Sequence, residues 1–234
     1  MKNLLNINVL VIVFSLFSCI SFARRADLVK KELDLPQVTA LEISSVFKVY
    51  IKQGDTQNIV LEADDDVIPY VVTEVKNGKL KVYISKKIKW ITSSNKLYIT
   101  VQTLDKIKVA GASSIVFDNG FSANNIKMEV AGASFITGKL EINDVDIKIA
   151  GASKAELEIF ANQAAISVKG ASSVVLSGEA NTQKIEATGM SKIDAENFKG
   201  DSAEVQATGM SKVTVGAKNL SQLRSVGASS IIKK

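Results

Sequence analysis

Seven serines stand two residues after a glycine, in the triplets Gly-Ala-Ser or Gly-Met-Ser: Ser113, Ser134, Ser153, Ser172, Ser191, Ser211 and Ser229. A regular row of hydroxyls could bind a polysaccharide or an ordered lattice. It could equally satisfy backbone groups at a tight corner, the use that buried polar rows normally serve. Lys154, Lys192 and Lys212 each follow one of these serines. They form a candidate surface for an acidic glycan, although most lysines are simply solvated. Trp90, the only tryptophan, sits among Lys86, Lys87 and Lys89. Exposed, it suits sugar stacking; alternation makes it equally a position on a sheet wall. Asp64, Asp65 and Asp66 lack the spaced acceptors and glycine of a calcium loop, so they read as a turn and a helix start over residues 66–72.

Catalytic chemistry finds little support. The chain has no histidine and its one cysteine is Cys19. Triads of the Ser-His-Asp and Cys-His types and the usual zinc sites therefore have no residues to build them. The acids Glu129, Asp146, Glu186 and Glu204 alternate with polar or basic residues and do not converge. The expectation is a non-enzyme with no cofactor and no metal, with a polysaccharide-active enzyme the less favoured alternative.

The elements that place these residues follow from the glycines. Gly111, Gly132, Gly151, Gly170, Gly189, Gly209 and Gly227 are separated by 21, 19, 19, 19, 20 and 18 residues. A near-constant period of this size is the mark of a solenoid. Four residues before each glycine stand Ile107, Met128, Ile147, Ile166, Ile185, Val205 and Leu223, and four after stand Ile115, Ile136, Ala155, Val174, Ile193, Val213 and Ile231. Polar residues separate these apolar positions with period two, which is the strand pattern. Each glycine then marks a corner between two strands. A second, less regular corner is marked by Asp118-Asn119-Gly120, Asn143-Asp144, Gly178 and Lys199-Gly200-Asp201.

Residues 35–105 are also β-rich. Residues 47–52 alternate, residues 58–63 form a second strand, and Asn77-Gly78 predicts a type I′ hairpin within residues 75–82. The reading is one all-β domain over residues 24–234. Residues 24–105 supply opening coils and a cap, and residues 106–234 the repeats.

At the N-terminus, Lys2 precedes an apolar run over residues 4–17, with Ser21 and Ala23 placed for cleavage before Arg24. Two readings of this segment are physically sensible: a signal peptide over residues 1–23, or a lipoprotein leader in which Leu16-Phe17-Ser18 precedes an acylated Cys19 that tethers the protein to a membrane. Both export the protein to the periplasm, outer membrane or cell surface. Removing residues 1–23 lowers the net charge from +5 to +4, and the remaining charges alternate in sign, which does not make a nucleic-acid footprint.

The segment FKVYIKQGDTQNIVLEADDDVIPYVVTEVKNGKLKVYI followed by GASS, GASF, GASK and GMSK blocks resembles the head GIN domain family of autotransporter adhesins, found mostly in Bacteroidetes. The resemblance covers residues 38–232. It implies a right-handed parallel β-helix and an envelope or surface location, with a surface glycan or envelope protein as partner. It carries over no catalytic motif. A structural envelope protein that assembles through its β-helix is the alternative.

Overall fold

The computed structural model describes residues 27–85 and 95–234; the candidate leader, Cys19 and Trp90 lie outside the described residues. The N-terminal part contributes β1 (Leu28–Glu32), β2 (Ala40–Ile43), β3 (Lys48–Gln53), β4 (Asn58–Asp64), β5 (Val71–Lys76), β6 (Lys79–Ile84) and β7 (Lys96–Val101). The repeats begin with β8 (Lys106–Val109), β9 (Ser114–Asp118), β10 (Phe121–Val130), β11 (Phe135–Ile149), β12 (Lys154–Gly170) and β13 (Ser173–Gly189). They end with β14 (Lys192–Lys199), β15 (Ser202–Gly209), β16 (Lys212–Val215), β17 (Asn219–Gly227) and β18 (Ser230–Lys233). The chain is a β-solenoid of about seven turns.

Two walls face each other across one apolar core. The first wall stacks the segments that precede each glycine, in the order β6, β2, β8, β10, β11, β12, β13, β15, β17. The second stacks the segments that follow it, through β7, β3, β9, β11, β12, β13, β14, β16, β18. All these pairings are parallel and nearly all in register, so equivalent residues of successive coils lie about 4.8 Å apart. Ile107, Met128, Ile147, Ile166, Ile185 and Val205 form one buried column, and Ile115, Ile136, Ala155, Val174, Ile193 and Val213 another. Each fully buried aliphatic side chain of this size contributes roughly 1.5–3 kcal/mol.

On the outside of the first wall, one column alternates in charge from coil to coil. Lys81, Glu42, Lys108, Glu129 and Lys148 are direct neighbours in that order. Ion pairs such as Lys79–Glu42 (3.1 Å) and Lys106–Glu129 (3.5 Å) knit the rows. Opposite charges placed across from each other favour this register, where like charges would oppose it.

Left-handed backbone at the glycine corner is required by the stacking. Gly151 has φ 86°, and a Cβ there would lie 2.5 Å from the carbonyl oxygen of Gly132 beneath it. Ser45 (φ 79°) takes the same place one coil below Gly111, so the corner column includes a non-glycine residue that the triplet pattern does not mark.

The second bend has a more regular origin than the sequence reading gave it. A coil of 19 residues is odd, and strict period-two alternation would turn the core face outward on every turn. One residue per coil must slip. In β12 the inward side chains are Ala155, Leu157 and Ile159, then Ala164, Ile166 and Val168. The ladder skips between Ala161 and Gln163, which puts the slip at Asn162. The same skip falls at Asn124, Asn143 and Asn181. The 20- and 18-residue intervals carry an extra irregularity each, at Val175/Ser177 and at Ala203/Glu204.

The N-terminal part is opening coils plus a cap, with a permuted order. The coil of β2 and β3 lies between that of β6 and β7 and that of β8 and β9. Antiparallel strands close this end: β5 on β6, β4 on β7 and β1 on β4. The predicted hairpin is present, with Asn77 (φ 51°) and Gly78 (φ 73°) both left-handed. The helix expected over residues 66–72 shrinks to one 3₁₀ turn, Ile68–Tyr70, because strand β5 starts at Val71. In the cap, the carboxylate of Glu62 is buried and receives Lys96 Nζ at 2.6 Å and Lys30 Nζ at 3.4 Å. The hydrogen bond from Lys96, helped by Lys30 against the opposing effect of burial, holds its pKa below the ordinary 4.5.

Candidate functional site

The serine row faces inward and is spoken for. Ser113, Ser134, Ser153, Ser172, Ser191 and Ser211 are buried. Ser153 Oγ donates to Ala150 O (2.9 Å) in its own coil and to Gly132 O (3.2 Å) in the coil below. It also accepts from Ser134 N (3.3 Å). Ser172, Ser191 and Ser211 repeat the two donations. The hydroxyls thus bond to corner backbone, sharing the glycine carbonyls with a backbone N–H of the next coil, as Ala152 N donates to Gly132 O (2.8 Å). Ser229, on the last coil, uses the same kind of acceptors, Ala207 O and Val226 O.

Lys154, Lys192 and Lys212 are exposed on the second wall beside the glycine corner. Lys192 and Lys212 are direct neighbours, while Ser173 separates Lys154 from Lys192. None of the three lines the groove at the opposite bend.

There a groove of about 580 Å³ runs along the stack, crossing the coils from Asp105 to Ser221. Beneath it runs the first inward column after the slip, Ile126, Val145, Ala164 and Gln183, whose side chains are buried. The inner rim is the column Asn125, Asp144, Gln163 and Thr182, and the outer rim is Lys127, Asp146, Ala165, Lys184 and Glu204. Side chains shrink to alanine in the coil of β12, at Ala164 and Ala165, which hollows the middle of the groove.

Charges on the outer rim are mostly matched. Lys127 Nζ lies 3.6 Å from Asp146 Oδ2, and Lys184 Nζ lies 3.9 Å from Glu204 Oε1 and 3.5 Å from Glu186 Oε1. On the inner rim, Asp144 Oδ2 accepts from Asn143 Nδ2 (3.2 Å). With the Asn125 amide turned so that its nitrogen faces the acceptors, Asn125 also donates to Asp144 Oδ2 (3.2 Å) and to Asn124 O (3.1 Å). The other oxygen, Asp144 Oδ1, is buried and has no hydrogen-bond partner among the described residues.

Gln183 is the polar member of an otherwise apolar column and is fully buried. Its Nε2 donates to Lys199 O (2.8 Å) and Phe198 O (3.3 Å), carbonyls at the end of β14. With Nε2 fixed among carbonyls, Oε1 is left facing away from them, and it too has no partner among the described residues. Asp144 and Gln183, two residues of one groove, therefore each keep a buried acceptor without a donor among the described residues. Such atoms are uncommon in folded proteins and call for an explanation.

Sequence reading placed Asn143-Asp144 at the second corner but missed the column to which Asn143 belongs. Asn124, Asn143, Asn162 and Asn181 recur every 19 residues, a signal as regular as the glycines. It is concealed because asparagine here lies inside long strands and not at their ends. Gln183 was detectable as the polar residue in the column of Ile126, Val145 and Ala164.

Comparison with known proteins supplies the context for this geometry. A family model described as "Putative auto-transporter adhesin, head GIN domain" matches residues 38–234. No curated protein matches. Among solved structures, a "putative lipid binding protein" from Parabacteroides distasonis ATCC 8503 is similar with TM-score 0.81 and 16% identity, covering 90% of this chain and 98% of that one. A "putative adhesin" from Parabacteroides merdae ATCC 43184 gives TM-score 0.79 and 15% identity, over 90% and 97% of the two chains. A "putative adhesin" from Bacteroides fragilis NCTC 9343 gives 0.68 and 18%, over 89% and 97%. At these identities the likeness is one of fold.

Proposed function

The chain belongs to the head GIN domain family of auto-transporter adhesins, and from that premise we propose that it is an exported, non-catalytic module of the bacterial surface that holds its ligand in the groove along the second bend. The observation that carries the reading is the groove itself: about 580 Å³, continuous over several coils. The leader-like N-terminus supports export, and the family supports a surface location. Among the described residues, no helix is long and apolar enough to cross a membrane. Attachment through an acylated Cys19 would place the solenoid at the membrane face, whereas cleavage before Arg24 would release it; the mass of the mature N-terminus distinguishes the two.

A binding role also suits the architecture. The coils build a rigid wall whose side chains are fixed by neighbours above and below, and rigid elements position a recognition surface with little ordering cost. The test is adhesion. Purified protein coated on beads is expected to hold cells or extracellular matrix, and Ala165→Trp, which fills the middle of the groove, is expected to abolish that retention without lowering thermal stability. Equal retention by wild type and a folded Ala165→Trp variant would place the adhesive surface elsewhere, with the lysine row of Lys154, Lys192 and Lys212 the next surface to test.

A further inference from the structure

We infer that the edge of the solenoid at the glycine corner, centred on Met190 and Met210 and flanked by lysines, docks on the surface of an anionic lipid membrane. This edge lies at the bend opposite the groove, and the inference does not depend on what the groove holds.

The apolar part comes first. In five of the seven coils the residue after the corner glycine is alanine: Ala112, Ala133, Ala152, Ala171 and Ala228. Met190 and Met210 replace it in two successive coils, where Met190 N donates to Gly170 O (2.9 Å) and Met210 N to Gly189 O (2.8 Å). The ladder thus holds the two side chains next to each other, about 4.8 Å apart. They are 62% and 63% exposed, more than any other large apolar side chain among the described residues. Val226, also exposed, stands across the corner one coil further on. Alanine completes the same corner elsewhere, so the fold does not need the longer side chains. They project adaptable hydrocarbon into solvent, as a surface that is to be covered does.

Charge is segregated around this hydrocarbon. Across the seven coils, the positions one before, one after and three after each glycine hold four lysines, Lys154, Lys169, Lys192 and Lys212, and no aspartate or glutamate. Lys192 and Lys212 follow the two methionines in Met-Ser-Lys and are direct neighbours. Lys169 lies on the other side of the corner, in the column of Thr188 and Thr208. All four lysines are exposed, and none is in an ion pair among the described residues. Elsewhere on the walls lysines are matched, as Lys106 is with Glu129 and Lys184 with Glu186. One column further out on each wall, acids return at Glu186 and at Asp194.

Methionines at the apex with uncommitted lysines beside them match the layering of a bilayer surface, hydrocarbon inward and anionic headgroups level with the cations. Lysine stems are long enough to keep their ammonium groups among headgroups while the corner sinks in. An acidic glycan would engage the lysines but leave both methionines in water. A fluid bilayer accepts a convex edge without a preformed concavity. Because the edge runs along the stack, the solenoid would lie on the membrane with its groove facing away.

The test is vesicle flotation of the exported chain carrying Cys19→Ser, so that no acyl chain contributes. Vesicles are phosphatidylcholine alone or with about 30% phosphatidylglycerol, at low salt and at about 0.5 M salt. Binding to the anionic vesicles is expected to be at least about tenfold stronger. Met190→Ala with Met210→Ala should weaken it about tenfold at both salt concentrations. Lys192→Ser with Lys212→Ser should weaken it about twentyfold at low salt and little at high salt. Both double variants use residues that other coils carry at the same place, so both should melt with the parent. Ala171→Met, which adds a third methionine to the column, should strengthen binding about threefold, a gain that no folding defect mimics. Ala165→Trp, in the groove, should bind vesicles as the parent does. Equal binding to both vesicle types, or to neither, would overturn the inference. So would a methionine variant that binds like the parent, and polygalacturonate retained through the lysines would then make the edge a site for acidic glycan. Loss of vesicle binding in Ala165→Trp would move the lipid to the groove and overturn it as well.

Discussion

At the scale of single residues, two kinds of polar side chain with similar burial do opposite work. Ser153 closes every hydrogen bond within reach, whereas Gln183 leaves one oxygen open. Ser153→Ala is therefore expected to cost about 1–3 kcal/mol, because Ala150 O and Ser134 N lose a partner in a dry corner. Ser229→Ala, on an exposed coil where water replaces the hydroxyl, should cost well under that. Urea unfolding midpoints of the two variants check the contrast, and equal losses would refute the structural role. Gly151→Ala combines left-handed backbone with a Cβ 2.5 Å from Gly132 O, so a loss of about 2–4 kcal/mol is expected in the same measurement. Glu62 adds a pH signature. Its folded pKa is held below the ordinary 4.5, so its stabilisation is complete above that value and is lost as pH falls through the folded value. The difference in melting temperature between wild type and Glu62→Gln should be present at neutral pH and shrink as pH falls below the ordinary 4.5 and through the lower folded value.

At the scale of elements, the arithmetic of the coil decides which length changes survive. Removing Asn162 alone deletes the slip, and every inward residue from Ala164 to Val168 would turn to solvent. Removing residues 152–170, one whole coil, keeps corner, slip and alternation in phase. Circular dichroism and limited proteolysis should therefore show the single deletion to be unfolded or locally frayed and the 19-residue deletion to be folded; the reverse order would refute the slip. This arithmetic also explains what the sequence could reveal. Glycine columns and alternating Ile, Val and Lys declare both walls, since backbone geometry and burial restrict each position strongly. The permuted coil of β2 and β3 leaves no such trace, because parallel pairing between distant segments depends on contacts that no local pattern encodes. The groove was half legible. Its place at the second corner showed in turn residues such as Asn143-Asp144, but its concavity comes from Ala164 and Ala165 meeting larger neighbours across coils, and that requires the register.

At the scale of the whole molecule, stability rises from the ends inward. β1, β5, β17 and β18 each pair on one side only, while central coils are held on both. Hydrogen exchange is expected to be slowest at residues 146–149 and 165–168 and to quicken toward both ends, as nearest-neighbour coupling between coils requires. Uniform protection throughout would show instead a single all-or-none unit. The in-phase coil has a consequence for length: a fold that accepts only whole coils changes the reach of its walls, and of the groove between them, in steps of about 4.8 Å.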